Sequence, residues 1–200
     1  MYNLKNNLSI EDNYQNGLLP QRNQTGVFYS DSSCRSNLSN FQLSSENRRI
    51  LKKTDSFSYK KIPLSEFSFT LDTQKQIFSW LKILGWDFPI NSVKKIFTNH
   101  IFNTLYIWED QGGNTVAYSI CYFDNHISHI AYVFYDPNIS HQELPIRLSL
   151  QCIIDSQKEN LKYCYLGRFN PESKLGYYKR NFPGFEYFAN NQWLTYNKNI

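Results

Sequence analysis

The sequence predicts an α+β fold in which helices flank a mixed β-sheet. Two segments after residue 70 carry apolar residues at helical spacing, and the next three segments alternate with a period of two. A further helix-length segment then precedes two more strand-like runs. Of the 200 residues, 41% are hydrophobic and 17% are aromatic, which is enough to form a substantial core.

Two helices follow a polar N-terminal segment. Residues 1–70 are rich in Asn, Ser and Gln and show little periodicity, which indicates a small, loop-rich region. We interpret Asp72 as the N-cap of the first helix, which we expect to end near Gly85. The second helix is expected at about 91–101. We therefore predict a small N-terminal region at 1–70 and the main domain at 71–200.

Three strands joined by tight turns come next and predict an antiparallel meander. We expect these strands at 104–108, 115–123 and 127–135. The connecting segments, 111–114 and 124–126, have the Gly, Asn and Asp residues that tight turns require.

A third helix follows the meander, with two possible starting points. Ser140 and Glu143 have the spacing of a capping box, which indicates a start at Ser140. Pro145 fits poorly deep inside a helix, so the alternative is a start at Leu144 with the proline in the first turn. The helix should end near residue 160, before strands at 162–166 and about 185–195. By analogy of fold, this order matches GNAT-type acyltransferases.

Composition limits the class of protein. The net charge of +4 fits an anionic partner such as RNA, but many other globular proteins have a similar charge. We find no apolar run of membrane-spanning length and no basic-then-apolar leader, so we expect a cytoplasmic, soluble monomer with no membrane partner. The four cysteines are far apart and include no CxxC pair, so they indicate neither a metal site nor a disulfide framework.

A GNAT-like sheet opens between the strand that ends at Tyr135 and the strand that ends at Gly167, and the acyl donor enters there. When the donor is an acyl-CoA, a glycine-rich loop follows the first of these strands, because glycine lets backbone N–H groups approach the pyrophosphate. The corresponding segment here, 138–147, has no glycine, and Pro145 has no N–H to donate. The sequence therefore argues against CoA, and we predict no cofactor.

Four short segments between about residues 25 and 183 indicate a family. They are Gly26-Val27-Phe28-Tyr29 ahead of Cys34-Arg35, SSENRRILKK at 44–53, Phe134-Tyr135-Asp136-Pro137, and Tyr165-Leu166-Gly167 with Lys174-Leu175 and Tyr178-Lys179. In order and spacing they resemble the aminoacyl-tRNA–protein transferases, which are the arginyltransferases and their bacterial leucyl-transferring relatives. Family members carry clustered cysteines near the first segment that are proposed to bind zinc or an iron–sulfur cluster. Of these only Cys34 is present here, and we predict no metal.

The resemblance implies transfer of arginine or leucine from aminoacyl-tRNA to the N-terminal α-amine of an acceptor protein. The expected first residue of the acceptor is Asp or Glu, and the added residue tags the protein for degradation in the N-degron pathway. The reaction is an aminolysis, in which the amine attacks the ester carbonyl of the charged tRNA. It requires positioning, a neutral amine and stabilisation of a tetrahedral oxyanion, but no covalent nucleophile.

Three residues are candidates for contact with the reacting groups. Asp136 either orients or deprotonates the amine, or caps the loop before Pro137. Tyr135 and Tyr178 either donate hydrogen bonds to the ester or ribose, or lie half-buried in the aromatic-rich sheet. For His129, a role as general base and a purely structural role are both open.

Substrate binding is expected at Gly167, Lys174, Lys179, Arg48, Arg49 and Lys52. The glycine would let a ligand approach the backbone closely. The two lysines of the closing third either contact the tRNA terminus or the acidic first residue of the acceptor, or are solvated. The three cations at 48–52 suit phosphate contact, but a solvated helix face gives the same pattern.

Two other functions remain open. One is a GNAT-like transferase that acts on another acceptor, either a small molecule or a peptidoglycan precursor, and acetyl-CoA binding would favour it. The other is a non-catalytic relative that binds tRNA or a peptide. Binding of tRNA without transfer would favour that second alternative.

Overall fold

The computed structural model of the protein describes residues 3–4, 8–22, 24–98, 100–139 and 143–196. The helices are α1 (Ile10–Gln15), α2 (Ser45–Lys53), α3 (Leu71–Ile83), α4 (Ile90–Phe97) and α5 (Leu144–Lys158). The strands are β1 (Asn3–Leu4), β2 (Leu18–Pro20), β3 (Phe28–Ser30), β4 (Ser33–Asn37), β5 (Ser58–Pro63), β6 (Thr104–Glu109), β7 (Thr115–Phe123), β8 (Ile127–Tyr135), β9 (Tyr163–Arg168), β10 (Phe185–Ala189) and β11 (Gln192–Thr195). Short 3₁₀ turns occupy Leu38–Asn40, Leu64–Glu66 and Tyr177–Asn181.

An eight-stranded mixed sheet forms the centre of the fold, with the order β11-β10-β4-β9-β8-β7-β6-β5. Its neighbouring strands pair antiparallel except for β8 and β9, which are parallel. A smaller sheet has the order β1-β3-β2. The α+β, GNAT-like mixed sheet with flanking helices that the sequence predicts is confirmed.

Helices cover both faces of the central sheet because successive strand residues point to opposite sides and both sets are apolar. On one face, α2 and α5 bury Ile50 and Leu148. On the other face, α3 and α4 bury Ile77 and Val93, and α1 adds Tyr14. Within the described ranges, no helix is both long and apolar enough to cross a membrane.

Two strands from the first 70 residues belong to the central sheet. β4 lies between β10 and β9, and β5 forms the edge next to β6. Arg35 on β4 is buried, pairs with Glu186 at 2.8 Å and lies 3.6 Å from the ring centre of Tyr163. Residues on both sides of position 70 thus build one sheet, while the division into regions 1–70 and 71–200 stays a prediction.

The meander and the third helix agree well with the sequence prediction. β7 and β8 have the predicted bounds. α5 begins at Leu144 with Pro145 in its first turn, which confirms the second of the two starting points. Ser140, the alternative start, lies outside the described residues.

Two predicted helix ends and one predicted strand were wrong. α3 is capped by Thr70, whose side chain accepts a hydrogen bond from the Thr73 N–H, while Asp72 lies in the first helical turn. There its charge is favourable to the helix dipole. α4 ends at Phe97 rather than near residue 101. The predicted last strand is a hairpin of two strands, β10 and β11, whose turn has positive φ angles at Asn190 and Asn191.

The parallel strands β8 and β9 separate towards their C-terminal ends. Their pairing stops at His129 and Tyr165, although β8 continues to Tyr135 and β9 to Arg168. Just beyond this point the register between β7 and β8 shifts and leaves Ala131 as a bulge. The predicted gap between the two strands is therefore present, and His129 marks its apex.

Candidate active site

A cavity of about 350 Å³ lies at the apex of the gap between β8 and β9, and we call it the apex cavity. Its apolar lining residues include Leu19, Phe102, Ala131, Leu166 and Leu175, and its polar lining residues include His129, Tyr178 and Lys179. A concave, mostly apolar space with a few polar groups is the usual form of a small-ligand site.

Lys179 brings its ammonium group to the apex cavity. Its Nζ donates hydrogen bonds to the carbonyl oxygens of Leu166 at 2.6 Å and Arg168 at 2.9 Å. Burial lowers the pKa of Lys179, and the Arg168 charge acts in the same direction while Cys34 opposes it. The two carbonyls use two of the three N–H groups of the ammonium, which leaves one for a ligand.

Gly167 separates the two carbonyl groups that hold Lys179. Its φ of +77° lies in the left-handed region, which glycine adopts without strain. A Cβ atom at this position would lie 3.8 Å from Lys179 Nζ and 3.9 Å from His129 Nε2, with no third neighbour within 4 Å. The missing side chain therefore leaves a space beside two nitrogen atoms.

His129 is buried at the apex, with 4% of its surface exposed. Its Nδ1 lies 2.7 Å from the hydroxyl of Tyr14, and its buried Nε2 has no hydrogen-bond partner among the described residues. Burial, reinforced by the charge of Lys179, lowers the pKa of His129 to about 3. Such a weakly basic imidazole is a poor general base near neutral pH, so this structure argues against that alternative.

Tyr178 lines the apex cavity from the 3₁₀ turn before β10. The residue as a whole is 42% exposed, but its hydroxyl end is buried beside Ser149. Burial is the main cause that raises the pKa of Tyr178 to about 12. The hydroxyl is therefore protonated at neutral pH and can donate a hydrogen bond.

Tyr135 and Asp136, the other two predicted catalytic residues, line a second cavity of about 260 Å³ at the end of β8. Burial raises the pKa of Tyr135. Oδ1 of Asp136 accepts hydrogen bonds from the backbone N–H of Asn138 at 2.9 Å and from its Nδ2 at 3.0 Å. The carboxylate thus caps the turn after β8, as one of the two interpretations of the sequence expects, and its catalytic role stays a prediction.

The three predicted cations of α2 differ in how far they are free to bind a ligand. Arg49 pairs with Glu46 at 2.5 Å and with Glu143 at 3.0 Å. Arg48 is exposed and donates to the Leu43 carbonyl at 2.5 Å. Lys52 is exposed, and its ammonium makes no ion pair within the described part of the chain.

The helix that carries these cations packs beside the candidate site. Asn47 is buried on α2, and its Nδ2 donates to the Asn181 carbonyl at 3.2 Å. Asn181 ends the same 3₁₀ turn that contains Tyr178 and Lys179. Lys174 lies in the exposed segment just before that turn. The Asn47–Asn181 hydrogen bond therefore joins α2 to the 3₁₀ turn that carries Tyr178 and Lys179.

A carboxylate precedes α5, where an acyl-CoA enzyme would bind pyrophosphate. Glu143 pairs there with Arg49 at 3.0 Å and with Lys53 at 3.1 Å. These hydrogen bonds lower the pKa of Glu143 to about 2, so the carboxylate is charged at neutral pH. Because Arg49 and Lys53 offset this charge, the argument against CoA continues to rest on the missing glycines and on Pro145.

The described ranges contain no group of three or more His, Cys, Asp or Glu side chains arranged to hold a metal ion. All four cysteines are buried thiols. Burial raises the pKa of Cys34 to about 12, and metal binding requires the thiolate. Cys34 is therefore poorly suited to be a metal ligand in this fold.

Two residues of the site came without a sequence signal. Tyr14 and Leu19 reach the apex from the first 20 residues, which the sequence describes only as loop-rich, whereas Tyr29 belongs to the first of the four family segments. The hydrogen bond between Tyr14 and His129 joins positions 115 apart. Local periodicity carries no information about contacts at that separation.

The chain matches the family model described as arginine-tRNA-protein transferase, C terminus, over residues 48–189. The chain belongs to this family. The predicted membership of the aminoacyl-tRNA–protein transferases, which are enzymes, is confirmed.

Curated relatives of this transferase-family chain include two proteins named aspartate/glutamate leucyltransferase. The protein from Saccharophagus degradans is 40% identical over 65 residues, which cover 32% of this chain and 28% of the relative. The protein from Acinetobacter baumannii is 23% identical over 174 residues, which cover 84% of this chain and 63% of the relative. The chain thus spans less than two thirds of the length of these relatives.

Among solved structures, a protein described as L-PGS from Bacillus licheniformis is similar in fold. The TM-score is 0.56 at 12% sequence identity, and the similarity covers 85% of this chain and 60% of that one. At this identity the likeness supports the architecture of the sheet and helices.

Proposed function

We propose that this member of the transferase family moves an amino acid from aminoacyl-tRNA to the N-terminal α-amine of an acceptor protein. The observation that supports this proposal most is the apex cavity itself. It combines apolar walls with the buried ammonium of Lys179 at the deep end of the gap between β8 and β9. An ester-linked amino acid offers the matching groups, an apolar side chain and a polarised carbonyl.

Leucine is the donated residue that the cavity fits best. None of the described residues that line it is acidic, and two of them, Arg168 and Lys179, are cationic. The guanidinium of a donated arginine would lose its hydration there without gaining an opposite charge. A leucine side chain would instead contact Leu19, Phe102 and Leu175. The name that both curated relatives carry agrees with this choice.

In the proposed reaction, the amine nitrogen of the acceptor attacks the ester carbonyl carbon. A C–N bond forms, the C–O bond to the ribose breaks, and the amine loses a proton while the ribose oxygen gains one. The free N–H of Lys179 donates to the carbonyl oxygen as negative charge develops there. The protonated hydroxyl of Tyr178 donates to the ester or to the ribose. Tyr135 and Asp136 position the acceptor amine from the second cavity, at the end of β8.

The proposed partners are the acceptor protein and the aminoacyl-tRNA. Lys174 is exposed next to Leu175, which lines the apex cavity, and suits an acceptor whose first residue is Asp or Glu. Gly167 gives the ester access to the backbone of β9. Arg48, Arg49 and Lys52 face the phosphates of the tRNA. We propose that the chain acts as a cytoplasmic monomer that tags proteins for degradation.

A transfer assay tests this function directly. The purified protein is incubated with Leu-, Arg- or Phe-tRNA that carries a labelled amino acid, and with peptides that begin with Asp, Glu, Lys, Arg or Ala. We expect labelled leucine on the Asp and Glu peptides and none after ribonuclease treatment of the tRNA. Transfer of arginine alone would contradict the choice of donor, and transfer from no tRNA would contradict the function.

A further inference from the structure

We propose that His129 is a second hydrogen-bond donor to the oxyanion that forms at the ester carbonyl, and that Tyr14 is the positioning residue that fixes His129 in its donor tautomer. Both roles rest on the proposed aminoacyl transfer. Nothing in the local sequence around His129 distinguishes a donor to substrate from a structural histidine.

One ring nitrogen of His129, Nε2, is unpaired in the described part of the chain. His129 is 4% exposed, lines the apex cavity, and has no hydrogen-bond partner at Nε2 among the described residues. Most buried polar atoms in folded proteins are paired, because an unpaired one loses its hydrogen bonds to water without replacement. An unpaired nitrogen beside a cavity is therefore best explained by a partner that arrives with the ligand.

The hydrogen bond on the other side of the ring fixes the position of the proton. The hydroxyl of Tyr14 is fully buried and lies 2.7 Å from Nδ1 of His129. Within the described residues, Nδ1 is the acceptor that this O–H group can reach, so Tyr14 donates and Nδ1 accepts. In a neutral imidazole the proton then lies on Nε2, the atom that is 3.9 Å from the position of a Cβ at Gly167. The ring stays neutral because it is buried beside the cationic Lys179.

The position of His129 selects the reacting carbonyl as its partner. The aminoacyl group is the leading end of a charged tRNA, so it reaches deepest into the gap, and His129 is the last β8 residue that pairs with β9. The open space at Gly167 lies 3.8 Å from Lys179 Nζ and 3.9 Å from His129 Nε2. An oxygen atom that enters between these nitrogens accepts from both, and two donors in a water-poor site stabilise an oxyanion strongly.

Kinetics of single variants test the role. In His129→Asn the amide lies near the former Nδ1 and leaves the Nε2 position empty, so we expect kcat to fall by about 10²–10³ with little change in KM. In His129→Gln the amide nitrogen reaches towards the Nε2 position and should restore part of this loss. Tyr14→Phe should lower kcat by a smaller factor. His126→Asn, in an exposed turn, is the matched control.

A ¹⁵N NMR spectrum of the histidine rings gives a readout that does not depend on activity. We expect His129 as the Nε2–H tautomer in the wild type, and a mixture of tautomers in a folded Tyr14→Phe variant. The Nδ1–H tautomer in the wild type would overturn the proposal whether or not transfer is seen.

Comparison of acceptor peptides shows whether His129 stabilises the oxyanion or recognises the acceptor side chain. Stabilisation of the oxyanion predicts the same loss for every peptide that the wild type uses. Clearly unequal losses for the Asp and Glu peptides would overturn the proposal and assign His129 to the acceptor side chain. Wild-type kcat in a folded His129→Asn protein would also overturn it. Absence of transfer by the wild type refutes the proposed function and removes this role with it.

Discussion

Gly167 is the residue at which backbone conformation and the candidate chemistry meet. Its φ of +77° turns the two carbonyls that bind Lys179 towards the same ammonium, and its lack of a side chain leaves room beside Lys179 and His129. A larger residue would strain the backbone and also fill this space. These two effects can be separated by experiment.

Gly167→Ala should impair transfer more than a comparable backbone change elsewhere. A left-handed alanine costs about 1–2 kcal/mol, and the new methyl group occupies the space for the carbonyl oxygen. Gly113→Ala is the matched control, because Gly113 has a φ of +78° and no atom within 4 Å of its Cβ position. We expect similar losses in the free energy of unfolding, measured in urea, and a loss of kcat/KM only in Gly167→Ala. Equal kcat/KM in the two variants would contradict the role of this space.

Replacement of Lys179 tests the charge at the apex. Lys179→Met keeps most of the side-chain volume and removes the donor, so transfer should fall by about 10²–10³ in kcat. Binding of tRNA, measured separately by filter retention, should change little. Lys75→Met on the exposed surface of α3 is the control. Near-normal transfer by a folded Lys179→Met protein would remove this lysine from the reaction.

At the scale of elements, the ion pairs of Glu143 link α2 to the start of α5. Arg49 and Lys53 lower the pKa of Glu143 to about 2 from its ordinary 4.5. A lowered pKa means that the carboxylate stabilises the fold above about pH 4.5, and that this contribution disappears as the pH falls towards 2. The contact is partly exposed, so high salt should weaken it.

Glu143→Gln should therefore lower the midpoint temperature of unfolding near pH 7. The difference from the wild type should shrink as the pH falls from about 4.5 to 2. The comparison requires unfolding curves of both proteins across this range. Glu172→Gln, in the exposed segment before the 3₁₀ turn, should show no such trend. A constant difference between wild type and Glu143→Gln at every pH would exclude the ion pairs as its cause.

The cations of α2 should contribute unequally to tRNA binding. Arg48 and Lys52 have no carboxylate partner among the described side chains, whereas two carboxylates already neutralise Arg49. Arg48→Ala and Lys52→Ala should each reduce the steepness with which the logarithm of the tRNA-binding constant falls against the logarithm of the salt concentration. The expected reduction in slope is up to about 0.9, which is the value per phosphate contact on duplex nucleic acid. Arg49→Ala should change it less. Lys94→Ala on α4 is the control. Unchanged slopes in both Arg48→Ala and Lys52→Ala would show that the tRNA does not contact α2.

In the molecule as a whole, two strands from the first 70 residues, β4 and β5, belong to the central sheet. A protein that begins at residue 71 lacks β4 and β5, which exposes the edges of β9, β10 and β6. We expect such a protein to aggregate or to unfold without cooperativity, whereas the full chain unfolds cooperatively in urea. Cooperative unfolding of residues 71–200 alone would instead support an independent domain with the predicted boundary.

Local sequence patterns were sufficient for β7 and β8, since the alternation in 115–123 and 127–135 indicated their observed bounds. Pro145 indicated the second of two possible starts of α5, which is the observed one, whereas the apolar face of α4 did not indicate where that helix ends. The same reasoning did not detect β4, whose residues Ser33–Asn37 are mostly polar. Arg35 is buried there because Glu186, 151 positions away, neutralises it.

The residues of the candidate site likewise fall into those that the sequence suggested and those that it did not. Gly167, Tyr178 and Lys179 are close in sequence, and the structure brings them to one cavity, as the sequence suggests. The pair of Tyr14 and His129 was not predicted, because it exists only once α1 packs on the apex of the gap. Short-range patterns identify side chains with suitable chemistry, but the sheet topology decides which of them meet.

The position of β4 inside the sheet has a consequence for the order of folding. Cys34 pairs with Gly167, so this strand is synthesised 133 residues before its partner leaves the ribosome. Pairings between such distant segments form slowly, because a long loop must close before any contact stabilises it. The candidate site needs β9 and the Tyr177–Asn181 turn, which carries Lys179, so a nascent chain cannot assemble it before these segments are synthesised.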